Sequence, residues 1–217
     1  FGLPLATQLP ENAIVTPEQS KACAGTFKGS AGSIVVRAAP GVLVAGIEGQ
    51  KLLDQIGAGE KLAWEADVAE LSRRAVEIVE AIAKGDREPL RKHMAKRIPA
   101  DFPDTTIRST WPGQLAAHGA FRSARPIGSL ARMGRLEVLL AVEHERVPAR
   151  VRIAFSAEGL ELLEWKAAEF LIVARLEPQG RNSFLLPIAP KPSKLDFEFQ
   201  KGKAAALRLG GEKFSRE

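Results

Sequence analysis

The chain has 217 residues, of which 45% are hydrophobic and 26% are charged, an ordinary composition for a globular protein with one large domain or two small ones. Its net charge of +5 would allow a nucleic-acid partner. Lys and Arg are nevertheless interspersed with acids, and only residues 87–97 and 122–135 are densely basic. Because binding to phosphates needs clustered charge, we expect solvated faces and no nucleic-acid partner.

The single cysteine, Cys23, excludes an intramolecular disulfide and a cysteine metal cluster. Its small neighbours Ala22 and Ala24 favour a place in the core. No apolar run approaches the roughly 20 residues of a membrane-spanning helix, so we expect no membrane span. The chain begins at Phe1 without the features of a signal peptide, and we expect a piece of a longer protein or a processed form.

We predict that residues 1–19 form an extended lead-in, because prolines recur in this segment and its apolar residues show little periodicity. Thr16 has the properties of a helix N-cap and is followed by Pro17 and Glu18. A short helix is therefore predicted from Pro17 to about Ala24.

Short strand-like runs separated by Gly- and Pro-containing turns occur near both ends of the chain. The predicted strands are residues 26–28, 34–37, 42–47 and 50–56, then 170–176, 183–188, 195–200 and 203–209. Eight strands are enough to close a barrel, which removes the exposed edges of two separate four-stranded sheets. We therefore predict that residues 20–62 and 167–217 form one discontinuous, eight-stranded antiparallel β-barrel.

The intervening residues 63–166 change to a helical period and then to an alternating one. Apolar positions between Val68 and Ile82 follow helical spacing, and Gly85 ends this long helix. A shorter helix over residues 87–96, a loop over 101–110 and a helical turn within 111–121 are predicted next. Residues 135–166 alternate in three runs, which indicates three antiparallel strands covered by the long helix. The predicted fold class is α+β, with this module inserted into the barrel.

The strand-rich regions resemble the C-terminal, lipocalin-like accessory barrel of the β-lactamase-related and penicillin-binding-protein-like serine hydrolases of bacteria. The segments that carry the resemblance are Leu3-Pro4, Thr16-Pro17-Glu18-Gln19, Ala24-Gly25-Thr26-Phe27, Ile34-Val35-Val36, Gly41-Val42-Leu43-Val44, Gly49-Gln50, Leu195-Asp196-Phe197-Glu198-Phe199, Gly202-Lys203 and Ala206-Leu207-Arg208-Leu209. The family usually has Tyr where this chain has Cys23 and Phe27, and the chain contains no Tyr.

The inserted residues, from about Trp64 to Lys166, resemble the NTF2-like or cystatin-like fold, in which a curved antiparallel sheet wraps a long helix. This resemblance rests on residues 81–86, on the stretch from Trp111 to Phe121 with Leu115 and Gly119, and on the alternating strands ending at residues 157–160. It implies a pocket between helix and sheet.

The hydrolase family's chemistry does not transfer to this chain. Its nucleophile lies in a Ser-x-x-Lys motif, and no such motif is formed by Ser20, Ser72, Ser109, Ser123, Ser129, Ser156 or Ser193. The absence of Tyr also removes the family's Tyr base. We expect no catalytic residues, no cofactor and, because the three His lie far apart in sequence, no metal site.

Candidate site residues come from the inserted module. The titratable candidates are His93, His118, His144, Asp101, Asp104 and Glu143. His144 is flanked by two Glu before Arg146-Val147-Pro148 and is interpreted as a solvent-facing hairpin end; His93 is interpreted as a surface residue. Trp111, His118 and Phe121 are the predicted ligand-binding residues, with packing as the alternative role.

The leading hypothesis is a noncatalytic accessory region that packs against or shapes the substrate site of a catalytic serine hydrolase domain, in the same or another chain. The resemblance implies a periplasmic or secreted location. One alternative is a binding protein for a small apolar ligand, held in the barrel or the inserted module. Another is an NTF2-like, isomerase-type enzyme with His118 and Asp104 as the catalytic pair.

Overall fold

The computed structural model describes residues 15–166, 172–180, 182–187 and 192–217. These residues divide into two compact units. The first consists of residues 15–47, 54–57 and those from 172 onward, and the second of residues 48–53 and 58–166. The first 14 residues of the predicted lead-in, and parts of the strands predicted at 170–176 and 183–188, lie outside the described residues.

The helices and strands follow one another in three groups along the chain. The first group contains α1 Pro17–Cys23, β1 Gly25–Gly29, β2 Gly32–Ala39, β3 Val42–Glu48 and α2 Gln50–Gln55. The second contains α3 Val68–Lys84, α4 Glu88–His93, α5 Phe102–Thr105, a π-helical segment Thr106–Thr110, α6 Trp111–His118, β4 Phe121–Arg132, β5 Arg135–His144, β6 Ala149–Ser156 and β7 Gly159–Lys166. The third contains β8 Ile172–Pro178, β9 Ser183–Leu186, β10 Ser193–Gln200, β11 Lys203–Leu209 and β12 Glu212–Arg216.

The first unit contains a closed eight-stranded antiparallel barrel with the strand order β1-β12-β11-β10-β9-β8-β3-β2. Two pairings join strands far apart in sequence. In one, β3 pairs with β8 from Leu43↔Leu176 to Ile47↔Ile172; in the other, β1 pairs with β12. The prediction of a closed barrel built from both ends of the chain is therefore confirmed.

Phenylalanine side chains fill the barrel interior. Phe27 on β1 and Phe197 on β10 are not on neighbouring strands, yet their ring centroids lie 5.8 Å apart. Phe184 lies 5.6 Å from Phe197, and Phe214 is fully buried. Gly29 permits this packing, because a Cβ there would lie 2.7 Å from the Phe214 ring. Among the described residues, these rings occupy part of the space that a ligand inside the barrel would need.

The strand predicted at residues 50–56 is instead helix α2. Leu52, Leu53 and Ile56 follow the one-, three- and four-residue spacing of a helix, and all three are buried. The barrel keeps eight strands because β12, which was not predicted, takes the remaining position. Three strands therefore precede the second unit in sequence and five follow it.

The second unit packs α3 on a four-stranded antiparallel sheet with the order β4-β5-β6-β7. The Asp67 side chain caps α3 by accepting a 3.0 Å hydrogen bond from the Glu70 N–H, and Gly85 ends the helix with φ of 74°. One face of the helix and the facing side of the sheet form a dense apolar core. Its fully buried members include Ala75, Ile78, Val79, Ile82, Val138, Leu140, Val151, Ile153 and Phe155.

Two predictions for the second unit are wrong. The sequence predicts three strands over residues 135–166, with residues 122–134 leading into them, but the sheet has four strands and residues 121–132 form its edge strand β4. Two register shifts, near Phe121/Ser123 and Pro126/Gly128, break the alternation that would have revealed this strand. Residues 101–110, predicted as loop, are helical and continue into α6.

No helix in the described residues combines the length and apolar character needed to cross a membrane.

Arg216 on β12 holds the start of the barrel to its end. Its guanidinium donates hydrogen bonds to the carbonyls of Ala22, Ala24 and Ala204, at 3.4, 2.5 and 3.0 Å. It also lies 5.9 Å from the centroid of the Phe27 ring. A single cation therefore satisfies carbonyls at the end of α1, at the turn into β1 and on β11.

We predict that Arg216→Met lowers the free energy of unfolding by about 2 kcal/mol, because it leaves partly buried carbonyls without a charged donor. The free energy of unfolding is measured by urea unfolding followed by far-ultraviolet circular dichroism. Trp fluorescence would not report on the barrel, because all three Trp lie in the second unit. Arg208→Met is the matched control. Arg208 is about half exposed and pairs with Glu198, so its loss should cost less than about 1 kcal/mol. Equal losses in both variants would contradict the role of Arg216.

Candidate functional site

An apolar groove of about 510 Å³ lies on one flank of α3 in the second unit. Its lining residues come from α3, α6 and the start of β4: Glu80, Ala83, Lys84, Trp111, Leu115, Ala120 and Phe121. A second groove of about 570 Å³ follows α3 toward its N-terminus and reaches Ala124, Arg125 and Pro126 of β4. Glu80 lines both grooves.

The spacing of residues along α3 explains why the groove lies outside the core. Ala69, Val76, Glu80 and Ala83 are separated by seven, four and three positions, so they share one side of the helix. The residues that pack on the sheet occupy a different side, from Leu71 to Ile82. The buried side of α3 thus packs on the sheet, and the open space lies along the neighbouring flank, where α3 meets α6 and the edge strand β4.

A wide helical turn places Trp111 at the groove. Pro112 has no N–H to donate within the helix, and its ring would clash with the carbonyl four residues earlier in a regular α-helix. The π-helical segment Thr106–Thr110 widens the backbone immediately before this position. The Trp111 ring then packs 6.1 Å from Phe121 and 5.2 Å from Trp165, between centroids.

The structure brings two of the three predicted ligand-binding residues together. Trp111 and Phe121 both line the groove. His118, at the end of α6, is not among the lining residues, and its Nδ1 donates a 3.1 Å hydrogen bond to the Val147 carbonyl. Leu115 and Glu80 were not predicted as site residues. The apolar residues Val76 and Ala83 lie four and three positions from Glu80 on the same side of α3, and this is the sequence signal that could have identified Glu80.

The interpretation of His144 as a solvent-facing residue is wrong. Its side chain is only 5% exposed, and its ring lies 5.9 Å from Trp111 and 5.4 Å from His118. Its Nδ1 donates a 3.0 Å hydrogen bond to the Gly119 carbonyl. Nε2 is buried and has no hydrogen-bond partner within the described part of the chain. An enclosed imidazole of this kind packs among rings and does not reach a substrate in the groove.

A tight turn between α6 and β4 buries His144. Gly119 has φ of 87°, and a Cβ there would lie 3.1 Å from the Glu145 Cβ. The Arg146 guanidinium donates to the carbonyls of Leu115 and Ala116, at 3.1 and 2.5 Å. The β5–β6 hairpin therefore closes over the C-terminal end of α6, a contact that local sequence does not reveal.

The proposed catalytic pair of His118 and Asp104 finds no support in these contacts. Asp104 on α5 forms ion pairs with Arg87 and Arg91, at 2.7 and 3.4 Å. His118 bonds the Val147 carbonyl instead. Of the other titratable candidates, Asp101 and Glu143 are exposed and His93 is partly buried at the end of α4.

Cys23 does not act as a nucleophile in this environment. The side chain is fully buried, and burial raises the pKa of its thiol to about 11, against a smaller opposing effect of Arg216. The thiolate, which is the reactive form, is therefore scarce near neutral pH. Within the described ranges, no group of three His, Cys, Asp or Glu side chains is placed to hold a metal ion.

Comparisons with protein-family models, curated proteins and solved structures found no match to this chain.

We predict that His144 makes the protein less stable as the pH falls. Burial is the main cause that lowers the pKa of His144, and the nearby His118 lowers it further, while the Gly119 carbonyl and Glu143 act in the opposite direction. The unfolded chain, with a His pKa near 6.5, then binds more protons than the folded one. The contribution of His144 to the free energy of unfolding is complete above about pH 6.5. It is lost as the pH falls toward the pKa of His144 in the folded protein.

His144→Asn should flatten this dependence between about pH 7 and pH 5, because an amide can still donate to the Gly119 carbonyl but does not titrate. Urea unfolding at several pH values, followed by Trp fluorescence, measures it. Some slope should remain, since burial and Arg74 also lower the pKa of His93. The control variant His93→Asn should keep the part of the pH dependence of the unfolding free energy that is due to His144. An unaltered slope in His144→Asn would contradict the assignment.

Proposed function

We propose that this chain is a noncatalytic accessory region of a β-lactamase-like serine hydrolase, with a lipocalin-like barrel and an NTF2-like inserted module. The observation that carries the proposal is the closed barrel, which joins β3 to β8 across the sequence of the second unit. The long helix α3 on a four-stranded sheet is compatible with an NTF2-like module.

The proposed role is to pack against, or shape the substrate site of, a catalytic hydrolase domain in the same or another chain. Surface loops on a rigid scaffold suit that role, because they can be positioned without contributing chemistry. The sequence supports a noncatalytic role, since it lacks Tyr and the quoted serines lack the Lys of the family's nucleophile motif. The family resemblance places such a protein in the periplasm or outside the bacterial cell.

The purified chain should not turn over a chromogenic β-lactam or short-chain nitrophenyl esters above the rate of buffer alone. A catalytically active serine β-lactamase serves as the positive control for the first substrate, and an esterase for the second. Turnover that disappears on substitution of one Ser in this chain would refute the noncatalytic role. The coding region upstream of Phe1 offers an independent check: a Ser-x-x-Lys and a Tyr-x-Asn motif there would support the parent hydrolase.

The groove on the flank of α3 supports a second candidate function, the binding of a small apolar ligand. Trp111, Leu115 and Phe121 line a space of about 510 Å³, which is within the usual range for small-molecule pockets. The aromatic and aliphatic lining of this groove is what supports it as a location for such a ligand.

We predict that a neutral probe, 2-naphthylmethanol, binds the groove and that Leu115→Gln weakens this binding about tenfold. The reason is that the substitution removes apolar contact area and adds a polar group that the probe cannot satisfy. Isothermal titration calorimetry measures both affinities. Met133→Gln is the control, because Met133 is 82% exposed in a turn outside the groove and its loss should not alter binding. Equal binding by the original chain and Leu115→Gln would exclude this location.

A further inference from the structure

We infer that the groove beside α3 selects an apolar organic cation, with the Glu80 carboxylate holding a basic amine and the rings of Trp111 and Phe121 contacting the apolar body. The inference rests on the ligand-binding candidate described above and assigns a ligand class to it. It depends on three features of the groove: a carboxylate without an ion-pair partner among the described contacts, an aromatic lining, and the different positions of Glu80 and Lys84 relative to the C-terminal end of α3.

Glu80 has no partner among the described contacts, in contrast to other acids on the same helix. Glu70 accepts hydrogen bonds from Arg73 and Arg74, at 2.5 and 3.1 Å, and Glu77 pairs with Arg73 at 3.9 Å. Glu80 is only partly exposed and lines both grooves. Its carboxylate is thus an available anion at the point where the two grooves meet.

The aromatic walls favour a cation over a neutral ligand of the same shape. Trp111 and Phe121 both line the groove that contains Glu80. The face of an aromatic ring attracts an ammonium group electrostatically. Phe121 is partly exposed, whereas Trp111 is only 6% exposed and packs behind it. A carboxylate beside a partly exposed ring is suited to an amine attached to an apolar group.

Lys84 also lines the groove, so the opposite ligand charge has to be considered. Lys84 is exposed and is the last residue of α3, where the helix dipole and the terminal carbonyls stabilise a cation. The same dipole does not stabilise Glu80, which is one turn from that end. Lys84 is also four residues after Glu80, a spacing at which the two charges attract each other, although the described contacts contain no ion pair between them. The charge of Lys84 is partly compensated by the helix terminus, and a bound amine would compensate Glu80 more closely than Lys84 does.

The test compares three ligands that share a naphthalene ring: the amine 2-naphthylmethylamine, the alcohol 2-naphthylmethanol and the carboxylate of 2-naphthylacetic acid. Isothermal titration calorimetry at low salt should show the amine binding about fivefold more tightly than the alcohol, with the carboxylate weakest. Glu80→Gln should remove the preference for the amine and leave the affinity of the alcohol within about twofold. Added salt should reduce the preference in the original chain, because Glu80 is partly exposed.

Glu77→Gln is the matched control, since it makes the same change of charge one turn away on a residue already paired with Arg73. It should keep the preference for the amine. If the alcohol and the amine bind equally, or if the carboxylate binds best and Lys84→Gln abolishes its binding, the role of Glu80 is overturned while ligand binding stands. If none of the three ligands binds, the ligand-binding candidate itself fails, and the selection of a cation fails with it.

Discussion

The pairing of β3 with β8, together with that of β1 with β12, is the constraint on which the barrel depends. Each pairing hydrogen-bonds strands that lie more than a hundred residues apart. Without them, two sheets would expose unpaired N–H and C=O groups along their edges. Closure also creates an interior that Phe27, Phe184 and Phe197 fill from different strands. The contacts of Arg216 with Ala22, Ala24 and Ala204 become possible only once the first and last strands are neighbours.

Dense packing in both units directs the search for function to the surface. The barrel interior contains phenylalanine rings, and the buried side of α3 belongs to one apolar core with residues of the sheet. The groove lies where the apolar flank of α3 meets α6 and the start of β4. Trp111 and Phe121 complete it, and Glu80 supplies its unpaired charge. A ligand could bind in this groove without a change in the packing of the barrel or of the core between α3 and the sheet.

The elements that could be predicted are those in which one periodicity runs without interruption. The apolar positions of α3 repeat at helical spacing between Asp67 and Gly85, which supply the caps, and β5 and β6 alternate along most of their length. The errors occur where two signals compete. Residues 50–56 are short and apolar enough for either a strand or a helix, and the register shifts of β4 hide its alternation. Residues 101–110 were predicted as loop, whereas Pro103 is accommodated in the first turn of helix α5.

By itself, the sequence determined the α+β class, a closed eight-stranded barrel formed from both ends of the chain and the long helix of the inserted region, because these follow from local periodicity and from the need to pair strand edges. It did not determine which segments supply all eight strands, since residues 50–55 form a helix and β12 takes the remaining place. It also identified Trp111 and Phe121 as candidate ligand contacts. Only the tertiary structure decided that His144 is buried, that phenylalanine rings from different strands meet inside the barrel, and that Glu80 lines an apolar groove. Each of these properties depends on contacts between side chains that are distant in sequence, and no local pattern encodes such contacts.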